Sequence, residues 1–175
     1  MVARLLADGL IWIVPTGLII GWLRGSSTTR QVLIAATISA LAGLLINQLI
    51  GLFWYHPRPF ESGIGQTLIL HARDSSFPSD HLTVICAIAF SLLLQAQTRF
   101  IGWTIALLGI PVAWARIYLG VHFPLDMAGS ALVALTSTIF MLAYGYRCVP
   151  MLMRVLMPIH QRLFAPFIAR GWVVK

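Results

Sequence analysis

The sequence predicts an all-α fold, a multi-pass transmembrane helical bundle of about five spans, with its active site at the external membrane face. Three observations carry that prediction. The chain of 175 residues is 59% hydrophobic and only 10% charged, against about a quarter charged in soluble domains, and its mean hydropathy is +0.87. Its apolar residues are gathered into long runs. Its acids, Asp8, Glu61, Asp74, Asp80 and Asp126, fall with His56, His71, His81 and His122 on one side once those runs are threaded through a bilayer. Lipid accepts an apolar surface that a soluble domain could not cover with polar groups.

Crossing a hydrocarbon core takes about 20 helical residues at about 1.5 Å each. The first span is expected at Leu6 to Leu23; Arg24 follows it without a small-residue cleavage pattern, so it is not a cleavable signal. The second runs from Gln31 to Trp54, the third from Ser79 to Ala96, the fourth from Phe100 to Ala115 and the fifth from Leu125 to Tyr146. The third and fourth are short and borrow polar ends. Pro15 and Pro111 interrupt the first and fourth and are expected to kink them. Residues 1–146 therefore form one membrane domain, and residues 147–175 a basic amphipathic tail. The tail places a basic residue every seven or eight positions among Met, Leu, Phe and Ile, and Pro158 and Pro166 are expected to break any long helix in it. It reads as lying along the cytoplasmic interface, because Arg154, His160 and Arg162 would be costly inside lipid.

Basic residues set the orientation. One face carries Arg24, Arg30, Arg99, Arg147, Arg154, Arg162, Arg170 and Lys175, the other only Arg4, Arg58, Arg73 and Arg116. The positive-inside bias makes the first face cytoplasmic and the acid-and-histidine face external, which in a bacterium is the periplasmic side of the plasma (inner) membrane. The net charge of +7 is accounted for by this asymmetry, and no nucleic-acid partner is expected. Cys86 falls inside the third span and Cys148 past the fifth on the opposite side, too far apart for a disulfide.

Three clusters meet at the external face: His56-Pro57-Arg58-Pro59-Phe60, Phe77-Pro78-Ser79-Asp80-His81, and Arg116 to Asp126. Arg58 and Arg116 offer planar donor forks suited to phosphate oxygens. Ser79 and the amides opening the third helix add hydrogen bonds where a helix N-terminus favours an anion. His122 and Asp126 are four residues apart, so that near the start of the fifth helix the carboxylate meets the imidazole and fixes its tautomer. His122 then has the character of a nucleophile, and His81 that of a general acid. Taken singly, Arg58 reads as a snorkelling arginine, Asp80 as a helix cap and His81 or His122 as structural histidines. Jointly they describe a phosphate-transfer site. His56, His71, Arg73 and Asp74 read as loop residues.

These residues resemble the type 2 phosphatidic acid phosphatase superfamily, whose motifs are K-x6-RP, PSGH and SR-x5-H-x3-D. Here they stand as Arg58-Pro59, Pro78-Ser79-Asp80-His81, and Arg116 with His122 and Asp126. Gly51 stands where the superfamily has lysine, Ala115 where it has serine, and Asp80 where it has glycine. Phe-Pro-Ser-Asp-His with His-Pro-Arg-Pro-Phe is similar to the undecaprenyl-diphosphate phosphatase branch associated with bacitracin resistance. That branch has a further N-terminal segment, so this chain is expected to begin late relative to it.

The resemblance implies a metal-independent lipid diphosphate phosphatase without a cofactor, acting on a polyprenyl diphosphate among membrane lipids. Arg58, Arg116, Ser79 and Asp80 would form the phosphate site, His122 would attack to give a phosphohistidine, Asp126 would orient it and His81 would assist departure. The Asp80 carboxylate is expected either to bond an arginine or to cap the third helix. The alternatives are the same chemistry on phosphatidylglycerol phosphate, phosphatidate or a lipid A phosphate and, more remotely, a proton-relay transporter.

Overall fold

The computed structural model describes residues 1–64, 67–69, 71–145 and 147–175, and these contain helices and no strand. Seven helical elements follow one another: α1 (Val2–Arg24), α2 (Ser27–Phe53), α3 (Asp80–Leu93), α4 (Arg99–Tyr118), α5 (Pro124–Tyr144), α6 (Cys148–Leu163) and α7 (Ala165–Ala169). Helices α1, α2, α4 and α5 are long and apolar enough to cross a membrane. The expected third span differs. At 14 residues, α3 reaches only about 21 Å at 1.5 Å per residue, and it starts at Asp80 and stops at Leu93 instead of Ala96.

A helix too short for lipid works here because other helices enclose it. Packed between α2, α4 and α5, α3 has Leu82, Thr83, Ile85, Ala87, Ile88, Ala89 and Leu92 buried. The surrounding helices turn small residues inward and large ones outward. On α2, Ala36, Ala40 and Gly43 face in while Leu41, Leu45 and Leu49 are exposed; on α4, Trp103, Leu107, Ile110 and Trp114 are exposed. Small residues let membrane helices approach closely. At Gly102 of α4 a Cβ would lie 2.8 Å from the Leu93 backbone nitrogen, so no larger residue fits that crossing.

The other boundaries shift for local reasons. Helix α2 begins at Ser27 rather than Gln31, because the Ser26 hydroxyl accepts the Thr29 N–H (3.2 Å) and caps the helix there. Helix α4 runs one turn beyond Ala115, which brings Arg116 into its last turn, and it carries Pro111 in its interior. Helix α5 starts at Pro124 and ends at Tyr144; the expected end at Tyr146 lies outside the described residues. In α1 a π-type turn (Leu5–Gly9) and a 3₁₀ turn (Leu10–Trp12) precede the regular stretch containing Pro15.

The tail breaks at only one of its two prolines. Helix α6 passes through Pro158, and the interruption comes at Phe164, just ahead of Pro166. It also packs back on the bundle. Arg30, fully buried, donates to the carbonyls of Trp22 (2.9 Å), Val174 (2.6 Å) and Lys175 (3.0 Å), while Trp22 Nε1 donates to His160 Nδ1 (3.2 Å). This latch lies at the opposite end of the bundle from the acids. Cys86 and Cys148 are both free.

Candidate active site

Three chain segments converge at the end of the bundle where α2 stops, α3 and α5 start and α4 stops. They enclose a cavity of about 150 Å³ lined by Arg58, His71, Ser79's neighbours Pro78 and Asp80, His81, Arg116 and His122, with Asn47, Gln48 and Gly51 of α2 as its floor. Asp80 is bonded by Asn47 and Gln48, six residues before the end of α2 at Phe53. The floor is thus sunk by about 9 Å along that helix.

His122 sits between α4 and α5, in a turn that Gly120 makes possible with φ of 75°. Phe123 caps α5 and Pro124 fixes its first turn, so the fully buried carboxylate of Asp126 reaches back. Its Oδ2 accepts the Phe123 N–H (2.8 Å) and lies 3.2 Å from His122 Nδ1, which is also 2.9 Å from the Ser76 carbonyl. Two acceptors at Nδ1 assign its proton there. Nε2 therefore carries the lone pair, and Arg58 Nη1 stands 3.3 Å from it. Burial lowers the His122 pKa, Arg116 and Arg58 lower it further, and Asp126 opposes them.

Of the phosphate ligands expected from the sequence, Arg58 is engaged by protein partners through all its guanidinium nitrogens, whereas Arg116 Nε and the Ser79 hydroxyl have none. Arg58 is buried; its Nε and Nη2 meet Asp74 Oδ1 (2.9 and 2.8 Å), and its Nη1 donates to the Val121 carbonyl (2.8 Å). Arg116 is buried, with its Nε unpartnered. The Ser79 hydroxyl is buried without a partner, although Ser79 is the N-cap of α3; its carbonyl accepts the Ser130 hydroxyl (2.9 Å), which ties α3 to α5. Buried polar atoms without partners are rare, and both of these donors could be satisfied by one anion. His81 lines the cavity from the first turn of α3.

Asp80 meets neither expectation. It makes no cap and bonds no arginine; its oxygens accept from Asn47 Nδ2 (2.8 Å) and Gln48 Nε2 (3.3 Å). At Gly51 a Cβ would come within 3.2 Å of Ser75 Cβ, so a side chain there would need Ser75 to give by a few tenths of an ångström.

Several residues read as loop filler enter the site. His71 lines the cavity and its Nε2 is 3.2 Å from Arg116 Nη2. Burial lowers its pKa and the Ala72 carbonyl opposes that. Asp74 pairs with Arg58, and Asp8, from the π-type turn of α1, pairs with Arg116 Nη1 (3.4 Å). A lone acid in an apolar span is a signal that could have drawn attention to Asp8, though not to its partner; nothing in the sequence distinguished His71. His56 is structural, its ring packed by Trp54 and Phe123. Glu61 accepts the Arg58 N–H (3.0 Å) and the Tyr55 hydroxyl, a carboxylate contact that raises the tyrosine pKa together with desolvation, the larger cause. Among the described residues no three His, Cys, Asp or Glu side chains form a metal-donor group.

The chain matches a family model described as PAP2 superfamily over residues 31–150. Undecaprenyl-diphosphatase BcrC of Bacillus subtilis is 43% identical over 114 residues, 65% of this chain but only 58% of that protein, so the match spans less than two thirds of that relative. The putative undecaprenyl-diphosphatase YbjG of Escherichia coli is 36% identical over 98% of this chain and 86% of that protein. Among solved structures, Aquifex aeolicus LpxE superposes with TM-score 0.57 at 21% identity, covering 82% of this chain and 93% of that one. A PAP2-type phosphatidylglycerolphosphate phosphatase from Bacillus subtilis gives 0.53 at 20% identity, covering 83% and 73%. These two likenesses concern the fold.

Proposed function

The chain belongs to the PAP2 superfamily, and from that premise we propose that it removes the terminal phosphate of undecaprenyl diphosphate, giving undecaprenyl phosphate and inorganic phosphate. The observation that carries this reading is the His122 ring. Its Nδ1 is held by Asp126 and the Ser76 carbonyl, and its Nε2 lone pair is turned toward Arg58 in the same cavity as His81 and Arg116. Names of the relatives at 36–43% identity supply the substrate.

The His122 Nε2 lone pair attacks the terminal phosphorus. The bond to the bridging oxygen breaks, and the lipid phosphate leaves with that oxygen and its electron pair, assisted by His81. Water then attacks the phosphohistidine; His81 takes the water proton, the P–N bond breaks, and phosphate leaves. Arg58, Arg116 and Ser79 hold the equatorial oxygens, so positioning and charge stabilisation lower the barrier. Asp126 keeps the ring oriented and stabilises it while cationic. Asp80 acts from the cavity floor, where an acceptor-only carboxylate is held by two amides. No metal enters this scheme.

The inventory of basic residues at the two bundle ends supports placing the site at the periplasmic face of the bacterial inner membrane, where carrier recycling serves cell-wall synthesis and resistance to bacitracin. The amphipathic helix α6, with Arg154 and Arg162 exposed and Met153 and His160 buried, supports the tail lying at the cytoplasmic interface. The test is phosphate release by purified protein offered undecaprenyl diphosphate, phosphatidate and phosphatidylglycerol phosphate, each with EDTA. The diphosphate is expected to be hydrolysed fastest and EDTA to leave the rate unchanged. Loss of turnover in EDTA, or preference for a monoester, counts against the reading.

A further inference from the structure

The groups that converge on His122 address one phosphoryl group: Arg58 and Arg116 line the cavity that also holds His81, and the buried Ser79 hydroxyl lies between the lining residues Pro78 and Asp80. A diphosphate brings a second anion, joined to the first through one bridging oxygen, and nothing in that set is left to receive it. Immediately beside the site lies another cavity, of about 680 Å³, lined by Arg4, Phe60, Thr67, Leu68, Ile69, His71 and Arg73. His71 is the shared wall, since it lines both cavities.

We propose that Arg4 and Arg73, beside the shared wall of His71, form a second anion subsite, which holds the phosphate that stays on the lipid and so distinguishes a diphosphate from a monophosphate. The charged lining of this cavity, Arg4 and Arg73, is cationic throughout. Arg73 has no hydrogen-bond or ion-pair partner among the described residues. Arg4 donates to the Leu68 carbonyl, which fixes the first helix to this loop. His71 is oriented by two contacts: Nδ1 donates to the Ala72 carbonyl (3.2 Å) and Nε2 accepts from Arg116 Nη2 (3.2 Å). The ring thus links the arginine of the first phosphate to the cations of the second. Phe60, Leu68 and Ile69 place apolar surface beside the charges, which matches a ligand whose anion continues directly into hydrocarbon. A free anion would leave that surface unused.

This inference rests on the diphosphate reading, and the experiment separates the two. Arg73→Gln is made in the 175-residue chain, where the exposed side chain can change without disturbing the core. kcat/KM is measured on undecaprenyl diphosphate and on phosphatidate. The ratio between the two substrates is expected to fall about tenfold, chiefly through KM, as for loss of one charge-assisted contact; Arg73→Lys should restore most of it. Equal losses on both substrates mean general attraction of anionic lipid to the surface and overturn the subsite, as does an unchanged ratio. A wild type that hydrolyses phosphatidate but not the diphosphate overturns the functional reading instead. Inhibition by methylenediphosphonate against inorganic phosphate then still tests the subsite. The wild type should favour the diphosphonate and Arg73→Gln should lose that preference; a preference retained in the variant overturns the proposal.

Discussion

The tautomer of His122 is the residue-scale fact on which the chemistry turns. With Nδ1–H given to Asp126 and the Ser76 carbonyl, only Nε2 can attack, and His122→Ala should lower turnover by on the order of 10³-fold or more, read as phosphate release. His81→Ala should divide by substrate. On a monoester, whose leaving oxygen needs a proton, the loss should reach about 10²- to 10⁴-fold; on the diphosphate, whose leaving group is already a stabilised phosphate, it should be clearly smaller. Equal losses would remove His81 from the acid role. The pH profile follows from burial of His122, which lowers its pKa below the ordinary imidazole value of about 6.5. The neutral nucleophile therefore persists down to that lower value, and the acid limb of kcat/KM should lie below 6.5. The stability gained by burying the ring neutral has the same sign, being complete above 6.5 and lost as pH falls through the folded value. Asp80→Asn should keep the fold, since Asp80 caps nothing, and should lower kcat/KM by disturbing the Asn47 and Gln48 contacts, a pairing visible as unchanged circular dichroism beside slower phosphate release.

At the scale of elements, the motifs were legible because they are local. His122 and Asp126 stand one helical turn apart, and Ser79 with His81 opens a helix, so the spacing alone placed them. Asp8, His71 and Asp74 were not legible, because what brings them in is the packing of α1 and of the loop after α2 onto Arg58 and Arg116. The length of α3 was misjudged for a related reason. Hydropathy registers apolar content, and a helix shielded by its neighbours is as apolar as one shielded by lipid, yet it need not match the bilayer. The crossing of α3 with α4 should be intolerant of bulk. Gly102→Ala puts a methyl against the Leu93 backbone, which cannot rotate away; a loss of about 1–3 kcal/mol should appear as a lower Tm in detergent, with kcat little changed in the protein that remains folded.

For the whole molecule, the chain ends up with its two polar sets at opposite ends of one bundle. Asp8, Asp74, His71 and His122 meet Arg58 and Arg116 at one end, while Arg30, Trp22 and His160 gather the tail at the far end. Deleting residues 171–175 should strip carbonyl partners from a buried Arg30, costing about 1–3 kcal/mol as a lower Tm while the KM for lipid stays constant. The depth of the catalytic floor has a consequence for traffic. Because Asn47 and Gln48 of the cradle sit about 9 Å back from the end of α2, the proposed reaction would part its two products by direction. Inorganic phosphate would leave to water, and the lipid would slide away within the plane of the bilayer. Each product would then enter a reservoir the other cannot share, so the proposed hydrolysis would run downhill by dilution as well as by chemistry.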